Sequence, residues 1–295
     1  MKKWIEAARL RTLPLSLAGI FGGYAISNQP DKYGLFILCV LTAVCLQILS
    51  NFANDYGDFT KGTDNDSRVG PQRTMQKGLI TQKEMKKVLI LFSFLSFFLG
   101  ITTSLTAFDI TLTTLVFSLI GGACVFAAIA YTVGKYAYGY AGLGDLFVFV
   151  FFGLVSVLGT KYVLTKGLEY VDIYPAITFG LLSTAVLNLN NMRDIENDKA
   201  SKKNTLVTKL GLSNAFIYHF ALVIGSIVSL TAYCSYTKGE EYYSYLTFII
   251  VPSIIHHLIR LTKKGIYTDF DPELKKVAIP TFILSVLFIL QEFLK

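Results

Sequence analysis

Residues 34–58 read GLFILCVLTAVCLQILSNFANDYGD, an apolar run that closes on Asn51, Asn54, Asp55 and Asp58. About 20 apolar residues carry a helix across the hydrocarbon core of a bilayer. Carboxylates at the end of such a run are costly unless something pairs with them or uses them. The stretch therefore predicts a membrane helix with a polar site at one end. At 3.6 residues per turn, Gln47, Asn51, Asn54, Asp55 and Asp58 share one side of that helix as a polar stripe. The pattern returns further along, where Thr184, Asn188, Asn191, Asp194 and Asp198 follow one another at spacings of three and four near the end of the run 173–193. Two such stripes facing each other would form an oxygen-lined cup.

The rest of the chain agrees with a membrane setting. Of 295 residues, 53% are hydrophobic and only 16% charged, which departs from a soluble domain towards an all-α polytopic membrane protein. Apolar runs near residues 12–28, 34–55, 88–106, 109–131, 143–164, 173–193, 213–236, 242–260 and 277–294 predict about nine transmembrane helices, in one bundle around a central cavity. Arg9, Arg11 and Pro14 interrupt the start of the first run, which is read as a span and not as a cleaved leader. All but five of the 27 Lys and Arg residues fall on the side of the N-terminus; Lys32, Lys161, Lys166, Lys238 and Lys295 do not. Such a bias places the N-terminus and both acid clusters in the cytoplasm, and the net charge of +7 then needs no nucleic acid to explain it. No linker or low-complexity tract divides the chain, so residues 1–295 are expected to form a single transmembrane domain. The likeness of the acid clusters ending spans two and six points to a weakly duplicated bundle.

Four hard carboxylates on two helices suit Mg²⁺, which is held by one or two carboxylates while sharing substrate phosphates. A pair of Mg²⁺ ions clamping a diphosphate fits that count. Arg68, Arg73 and Lys77 after the first cluster, and Lys199, Lys202 and Lys203 after the second, could neutralise phosphate oxygens. Asp64, Asp66, Glu84 and Glu196 are expected to be solvated loop or helix-face charges. His219, His256 and His257 are expected to be packed or interfacial, and Cys39, Cys45, Cys124 and Cys234 to be small packing residues with no metal spacing. Some of the 23 Phe and 17 Tyr would line any cavity, where ring faces stabilise a carbocation.

At this level of detail Asn54-Asp55-Tyr56-Gly57-Asp58 and Asp194-Ile195-Glu196-Asn197-Asp198 resemble the two aspartate-rich motifs of the UbiA superfamily of intramembrane prenyltransferases. Ala8 to Leu15, Leu49 to Asp58, Gly70-Pro71-Gln72-Arg73, Gly142-Leu143-Gly144-Asp145 with Phe151-Phe152-Gly153, and Asp198 to Leu206 resemble its menaquinone-pathway branch, which prenylates 1,4-dihydroxy-2-naphthoate. The resemblance implies transfer of a polyprenyl group from a polyprenyl diphosphate, in a cell inner membrane, with the active site facing the cytoplasm. It implies catalytic and Mg²⁺-binding roles for Asp55, Asp58, Asp194 and Asp198. Substrate-contacting roles are expected for Asn51, Asn54, Arg73, Lys77, Tyr131, Lys135, Asp145, Asn191 and Arg11. The chain departs from the pattern at Gly62, where many relatives carry a third aspartate, and at Lys135 to Tyr140, where a proline-containing turn is usual. The competing readings are a relative with another acceptor (4-hydroxybenzoate, haem or a chlorophyllide) and an ion-coupled transporter. Against the latter, the acids stand at helix ends beside basic loops, and no Gly/Pro-broken helix pair marks a midplane site. Neither the prenyl chain length nor the oligomeric state follows from the sequence.

Overall fold

The computed structural model describes residues 1–65, 68–237, 242–264 and 269–294, so Asp66, Lys238 and Lys295 lie outside the described residues. In chain order the helices are α1 (Lys2–Ala8), α2 (Leu13–Ser27), α3 (Tyr33–Thr60), α4 (Gln82–Phe108), α5 (Leu112–Ala130), α6 (Gly144–Val148), α7 (Gly159–Thr165), α8 (Ile173–Arg193), α9 (Ile195–Ala200), α10 (Leu206–Leu210), α11 (Leu212–Tyr236), α12 (Val251–Lys264) and α13 (Asp271–Leu294). A π-helical stretch, Phe149–Leu158, joins α6 to α7. Among the described residues there is no strand.

Seven helical stretches among the described residues are long and apolar enough to cross a membrane, the second motif-bearing one being Tyr170–Arg193. Two further expected spans, residues 12–28 and 277–294, fall on α2 and α13; α2 has 15 residues, fewer than a crossing usually takes. Large apolar side chains such as Phe94, Phe98, Leu119, Phe126, Ile217 and Val228 are exposed. On a soluble protein so much apolar surface would be a liability, but lipid is a suitable solvent for it.

The chain folds as two compact units, each assembled from separated segments. The first comprises Met1–Leu13, Ile37–Gly144 and Asp194–Lys209. Its core packs Ala7 and Ala8 of α1, Leu49, Phe52 and Ala53 of α3, Met75 and Ile80 of the following loop, and Met85 and Leu89 of α4. Thr81 begins α4 as an N-cap, its hydroxyl accepting from the Glu84 amide while the Glu84 carboxylate accepts from Thr81. The approach of α3 to the segment after α5 depends on Gly57. A methyl at that position would sit 2.5 Å from the Thr132 hydroxyl, and the same hydroxyl donates to the Ala53 carbonyl at 2.8 Å.

The second unit comprises Pro14–Phe36, Asp145–Arg193 and Leu210–Lys295. Its helices meet over small residues, as helices in lipid commonly do. Gly153 of the π-helical stretch lies so close to α8 that an added Cβ would be 2.5 Å from the Ala176 carbonyl oxygen and 2.8 Å from the Gly180 Cα. Phe179 of α8 packs on Phe288 of α13, with ring centroids 5.8 Å apart.

Candidate active site

The first acid motif occupies the last turns of α3, within the first unit. Asp58 is 2% exposed. Its Oδ2 accepts from Arg73 Nη1 at 2.6 Å and its Oδ1 from the Tyr140 hydroxyl at 2.6 Å. Lys203 Nζ stands 4.0 Å from the same carboxylate and 3.7 Å from that of Asp198. Arg73 also reaches Asp64 Oδ2 at 3.1 Å, and Arg68 bridges from Asp64 (3.3 Å) to Asp194 (4.0 Å). These contacts form one chain of alternating charge, Asp198–Lys203–Asp58–Arg73–Asp64–Arg68–Asp194, that starts and ends in the second acid motif.

Local geometry explains how both motifs reach it. Gly62, at φ 72°, terminates α3 in the left-handed region that glycine adopts freely, and the amides of Thr63 and Asp64 fold back on the Asp58 carbonyl at 2.9 and 3.3 Å. The sequence Lys135 to Tyr140 forms a tight turn in which the Gly139 amide donates to the Tyr131 carbonyl at 3.0 Å, and this turn delivers Tyr140. The Tyr140 ring carries Lys61 Nζ 4.0 Å and Lys203 Nζ 5.4 Å from its centroid, and its hydroxyl lies 2.6 Å from that of Thr63. The expected single helical stripe through Asp194 and Asp198 is corrected. α8 ends at Arg193, Asp194 sits at φ −95°, ψ 8°, and α9 starts afresh at Ile195. Asn and Asp are weak helix formers that favour turns, and the run from Asn188 to Asp198 holds six of them.

Asp55 has a different occupation. It is 1% exposed, its Oδ2 accepts from the Thr74 hydroxyl at 2.5 Å, and its Oδ1 accepts from the Met75 amide at 3.4 Å. It fastens the loop that carries Arg73. Asn54 contributes its carbonyl to Arg73 Nη1 at 2.5 Å. Asn51 holds the turn after α1, its amide donating to the Ala8 carbonyl at 2.8 Å and the Thr12 hydroxyl at 3.0 Å.

Burial and charge work against each other here. Burial raises the Asp64 carboxyl to about 6 in spite of Arg73 and Arg68. Burial likewise raises Asp198 to about 6, with Lys203 opposing and Asp194 and Asp58 adding to it. For Arg73 burial disfavours the charge, but Asp58, Asp64 and Asp55 outweigh it and the pKa rises.

Several expected site residues lie outside this chain of charges. Lys77 makes an exposed pair with Glu6 at 2.5 Å. Lys135 and Arg11 are exposed, and Tyr131 packs edge-on to Tyr138 with centroids 5.3 Å apart. Asp145 and Asn191 belong to the second unit, where Asp145 accepts from Tyr218 and its carbonyl lies 3.5 Å from the Thr184 hydroxyl; Asn191 is 3% exposed. Conversely, Asp64 is no solvated loop charge: its side chain has 0% exposure. Broken register hid it, because Gly62 takes Asp64 off the helical stripe. Tyr140 was also missed; it stands in no acid motif.

Among the described residues no three His, Cys, Asp or Glu side chains converge as one metal shell, since basic groups intervene. The donor chemistry nevertheless fits a hard cation. Asp198 Oδ2 and Asn54 Oδ1 are buried oxygens with no hydrogen-bond partner, and oxygen donors of this kind select Mg²⁺ over softer metals. Buried acids interleaved with guanidinium and ammonium groups, at the end of an apolar helix, define a membrane-embedded enzyme that handles a polyanion.

The chain belongs to the UbiA prenyltransferase family, whose profile matches residues 15–270. It is 40% identical over 292 residues to the 1,4-dihydroxy-2-naphthoate octaprenyltransferase of Haemophilus influenzae, covering 98% of this chain and 94% of that one. It is 40% identical over 293 residues to the Escherichia coli protein of the same name, covering 99% and 95%. Among solved structures it shares the fold of an apo UbiA homolog from Aeropyrum pernix (TM-score 0.72, 14% identity, 96% and 98% covered). It shares it also with a UbiA homolog from Archaeoglobus fulgidus bound to DMAPP and Mg²⁺ (TM-score 0.68, 18% identity, 99% and 98% covered).

Proposed function

We propose that this chain is a Mg²⁺-dependent prenyltransferase that moves a polyprenyl group from polyprenyl diphosphate to 1,4-dihydroxy-2-naphthoate, releasing diphosphate and CO₂ to give demethylmenaquinol. The observation that carries the acceptor is 40% identity, over nearly the whole chain, to two proteins bearing that name. Asp58 and Asp198, with Asp194, are the acids we assign to the metal, and Asn54 Oδ1 is a further oxygen in reach of that role. Bound Mg²⁺ would neutralise charge on the leaving diphosphate and lower the barrier to its departure. Arg73, Arg68 and Lys203 add fixed positive charge in a setting from which water is excluded, where such charge is most effective. Asp55 acts by holding the Arg73 loop. The allylic C–O bond breaks with its electron pair leaving on diphosphate, the electron-rich ring supplies the pair for the new C–C bond, and loss of CO₂ restores aromaticity.

The topology that suits this reading has about nine spans around a central cavity and the N-terminus and acid motifs at the cytoplasmic face of the inner membrane. The Lys/Arg bias supports it. Both units together make the single prenyltransferase domain, a reading supported by a family match that runs through both. The test is to incubate membranes containing the protein with Mg²⁺, a polyprenyl diphosphate and equal amounts of 1,4-dihydroxy-2-naphthoate and 4-hydroxybenzoate, and to identify the lipids by mass spectrometry. A decarboxylated prenyl naphthoquinone, absent with EDTA, is expected. Prenylated hydroxybenzoate would overturn the acceptor and keep the chemistry.

A further inference from the structure

Two buried polar side chains of the second unit lack partners at the same end of its helices. Asn188 of α8 is 0% exposed, and neither its amide nitrogen nor its amide oxygen has a hydrogen-bond partner. Asp145 of α6 is 5% exposed, and its Oδ1 has none. Glycine lets α6 and the π-helical stretch run close against α8. A Cβ on Gly180 would lie 2.8 Å from the Phe149 ring, and one turn further the Thr184 hydroxyl lies 3.5 Å from the Asp145 carbonyl. Asn188 follows Thr184 by four residues, on the same side of α8. α11 packs against α8 as well. Ser229 donates to the Tyr174 carbonyl at 2.8 Å and Thr178 to the Ser226 carbonyl at 3.4 Å. This antiparallel register brings Tyr218, which donates to Asp145, level with Ala185 and Val186, between Thr184 and Asn188.

The Thr184 hydroxyl is already used, donating to the Gly180 carbonyl at 2.9 Å, and the Tyr218 hydroxyl is used on Asp145. A carboxylate oxygen, an amide oxygen and an amide NH2 stay open, which makes two acceptors and one donor group. Groups so buried are unfavourable without a partner, and these two do not satisfy each other. Their charge tells what the partner is. Among the described residues Asp145 makes no ion pair, and no Lys or Arg acts on it, so a diphosphate would meet a carboxylate that nothing neutralises. A neutral hydroxyl instead gives Asp145 a proton to accept. The Asn188 NH2 suits a carboxylate oxygen, and its carbonyl suits a neighbouring hydroxyl. An aromatic ring bearing hydroxyls and one carboxylate offers all of these, and like-charge repulsion turns its carboxylate to Asn188 and away from Asp145.

We propose that Asp145 and Asn188 bind the aromatic acceptor, Asn188 pairing with its carboxylate and the adjacent hydroxyl, and Asp145 accepting from the hydroxyl across the ring. The assignment rests on the prenyl-transfer reading above and names the side chains that read its acceptor. A hydroxyl that donates to a carboxylate releases more electron density into its ring, so the Asp145 contact both holds the acceptor and makes it a better nucleophile.

The experiment compares wild type with Asp145→Asn and Asn188→Leu in detergent, without Mg²⁺ or prenyl donor. Three compounds are titrated by their ring fluorescence: 1,4-dihydroxy-2-naphthoate, 1-hydroxy-2-naphthoate, which lacks the far hydroxyl, and 1,4-dihydroxynaphthalene, which lacks the carboxylate. The expected result for Asp145→Asn is a Kd for 1,4-dihydroxy-2-naphthoate raised roughly 10- to 100-fold, with that for 1-hydroxy-2-naphthoate unchanged. Asn188→Leu is expected to shrink the preference for 1,4-dihydroxy-2-naphthoate over 1,4-dihydroxynaphthalene about tenfold. Donor KM should stay unchanged in both. Asn188→Leu should melt no lower than wild type, because an apolar group replaces an unpaired amide; Asp145→Asn decides the matter if Asn188→Leu does not fold. An unchanged Kd for 1,4-dihydroxy-2-naphthoate in folded Asp145→Asn would overturn the proposal. So would an equal loss for all three compounds, which marks general distortion and not recognition. A wild type that prenylates 4-hydroxybenzoate instead would refute the naphthoate reading; a KM for that acid raised in Asp145→Asn then supports the site, and an unchanged one overturns it. A wild type that binds no hydroxylated aromatic acid would overturn both.

Discussion

Both units bury charge, and they do so differently. In the second unit Lys161 (6% exposed) meets Asp172 (2% exposed) at 2.7 Å, and the other Asp172 oxygen accepts from the Glu169 amide at 2.7 Å. Glu273, 0% exposed, is likewise enclosed by His257 at 2.9 Å, Lys276 at 2.8 Å and Arg260 at 3.1 Å. These carboxylates are satisfied by the chain itself. In the first unit the charges are just as buried, and Asp198 Oδ2, Asn54 Oδ1, Arg9 Nη2 and Arg73 Nε have no hydrogen-bond partner; in the second unit Asp145 Oδ1, the Asn188 amide, Arg260 Nε and Gln291 Oε1 have none either. Neither burial of charge nor an unpartnered atom alone therefore marks a site; in the first unit the two coincide on Asp198 and Arg73, members of one alternating chain of acids and bases, where a ligand would offset the cost.

The comparison can be broken most directly at Asp58. Asp58→Asn removes the acid that Arg73, Tyr140 and Lys203 share, and turnover is expected to fall by about 10³-fold, the size associated with losing a central electrostatic group. Asp55→Asn and Asp194→Asn should likewise lower turnover to near background while still allowing membrane insertion, as read by protease protection of the loops, with neither loss exceeding that of Asp58→Asn. Full activity in Asp58→Asn would erase the distinction between the units. Lys161→Met should act in the opposite sense. Leaving Asp172 uncompensated is expected to cost roughly 3–5 kcal/mol, visible as a lower melting temperature in detergent, with turnover per folded molecule unchanged. Tyr140→Phe is expected to have a smaller effect. It removes one charge-assisted hydrogen bond to Asp58, a loss of about 1.5–3 kcal/mol, and should lower kcat/KM roughly 10- to 100-fold by steady-state assay.

What could be read from the sequence follows the same physical division. Hydropathy reports solvent, so the long helices in lipid were legible. The two acid motifs were legible because acids at the end of an apolar run are conspicuous. Asp64 was not, since helical spacing cannot follow a chain past a left-handed glycine such as Gly62. The break of the second stripe at Asp194 is another local turn that periodicity overlooks. Tyr140 arrives from a turn 82 residues after Asp58; such long-range placements depend on packing. The resemblance implies a substrate contact for Asn51, and in the structure its amide donates to the Ala8 carbonyl and the Thr12 hydroxyl, a local role that helical spacing alone does not reveal.

The smallest effect is the sharpest test of reasoning from position alone. Lys77 follows the first motif as closely as Arg73 does on the scale of a loop, and sequence reasoning gave both to the substrate. The loop separates them. Arg73 turns under α3, tied down through Thr74 and Asp55, whereas Lys77 comes out on the surface against Glu6, with side-chain exposures of 36% and 40%. An exposed pair of this kind contributes between nothing and about 1 kcal/mol, because water screens it and two flexible chains must be ordered to form it. Lys77→Ala should therefore leave kcat/KM within about twofold of wild type and change the melting temperature little, with both effects weaker still at high salt. A loss of kcat/KM in Lys77→Ala as large as that expected for Tyr140→Phe would mean that the loop carries Lys77 to the diphosphate during turnover, and that the open valences of the first unit are only part of its site.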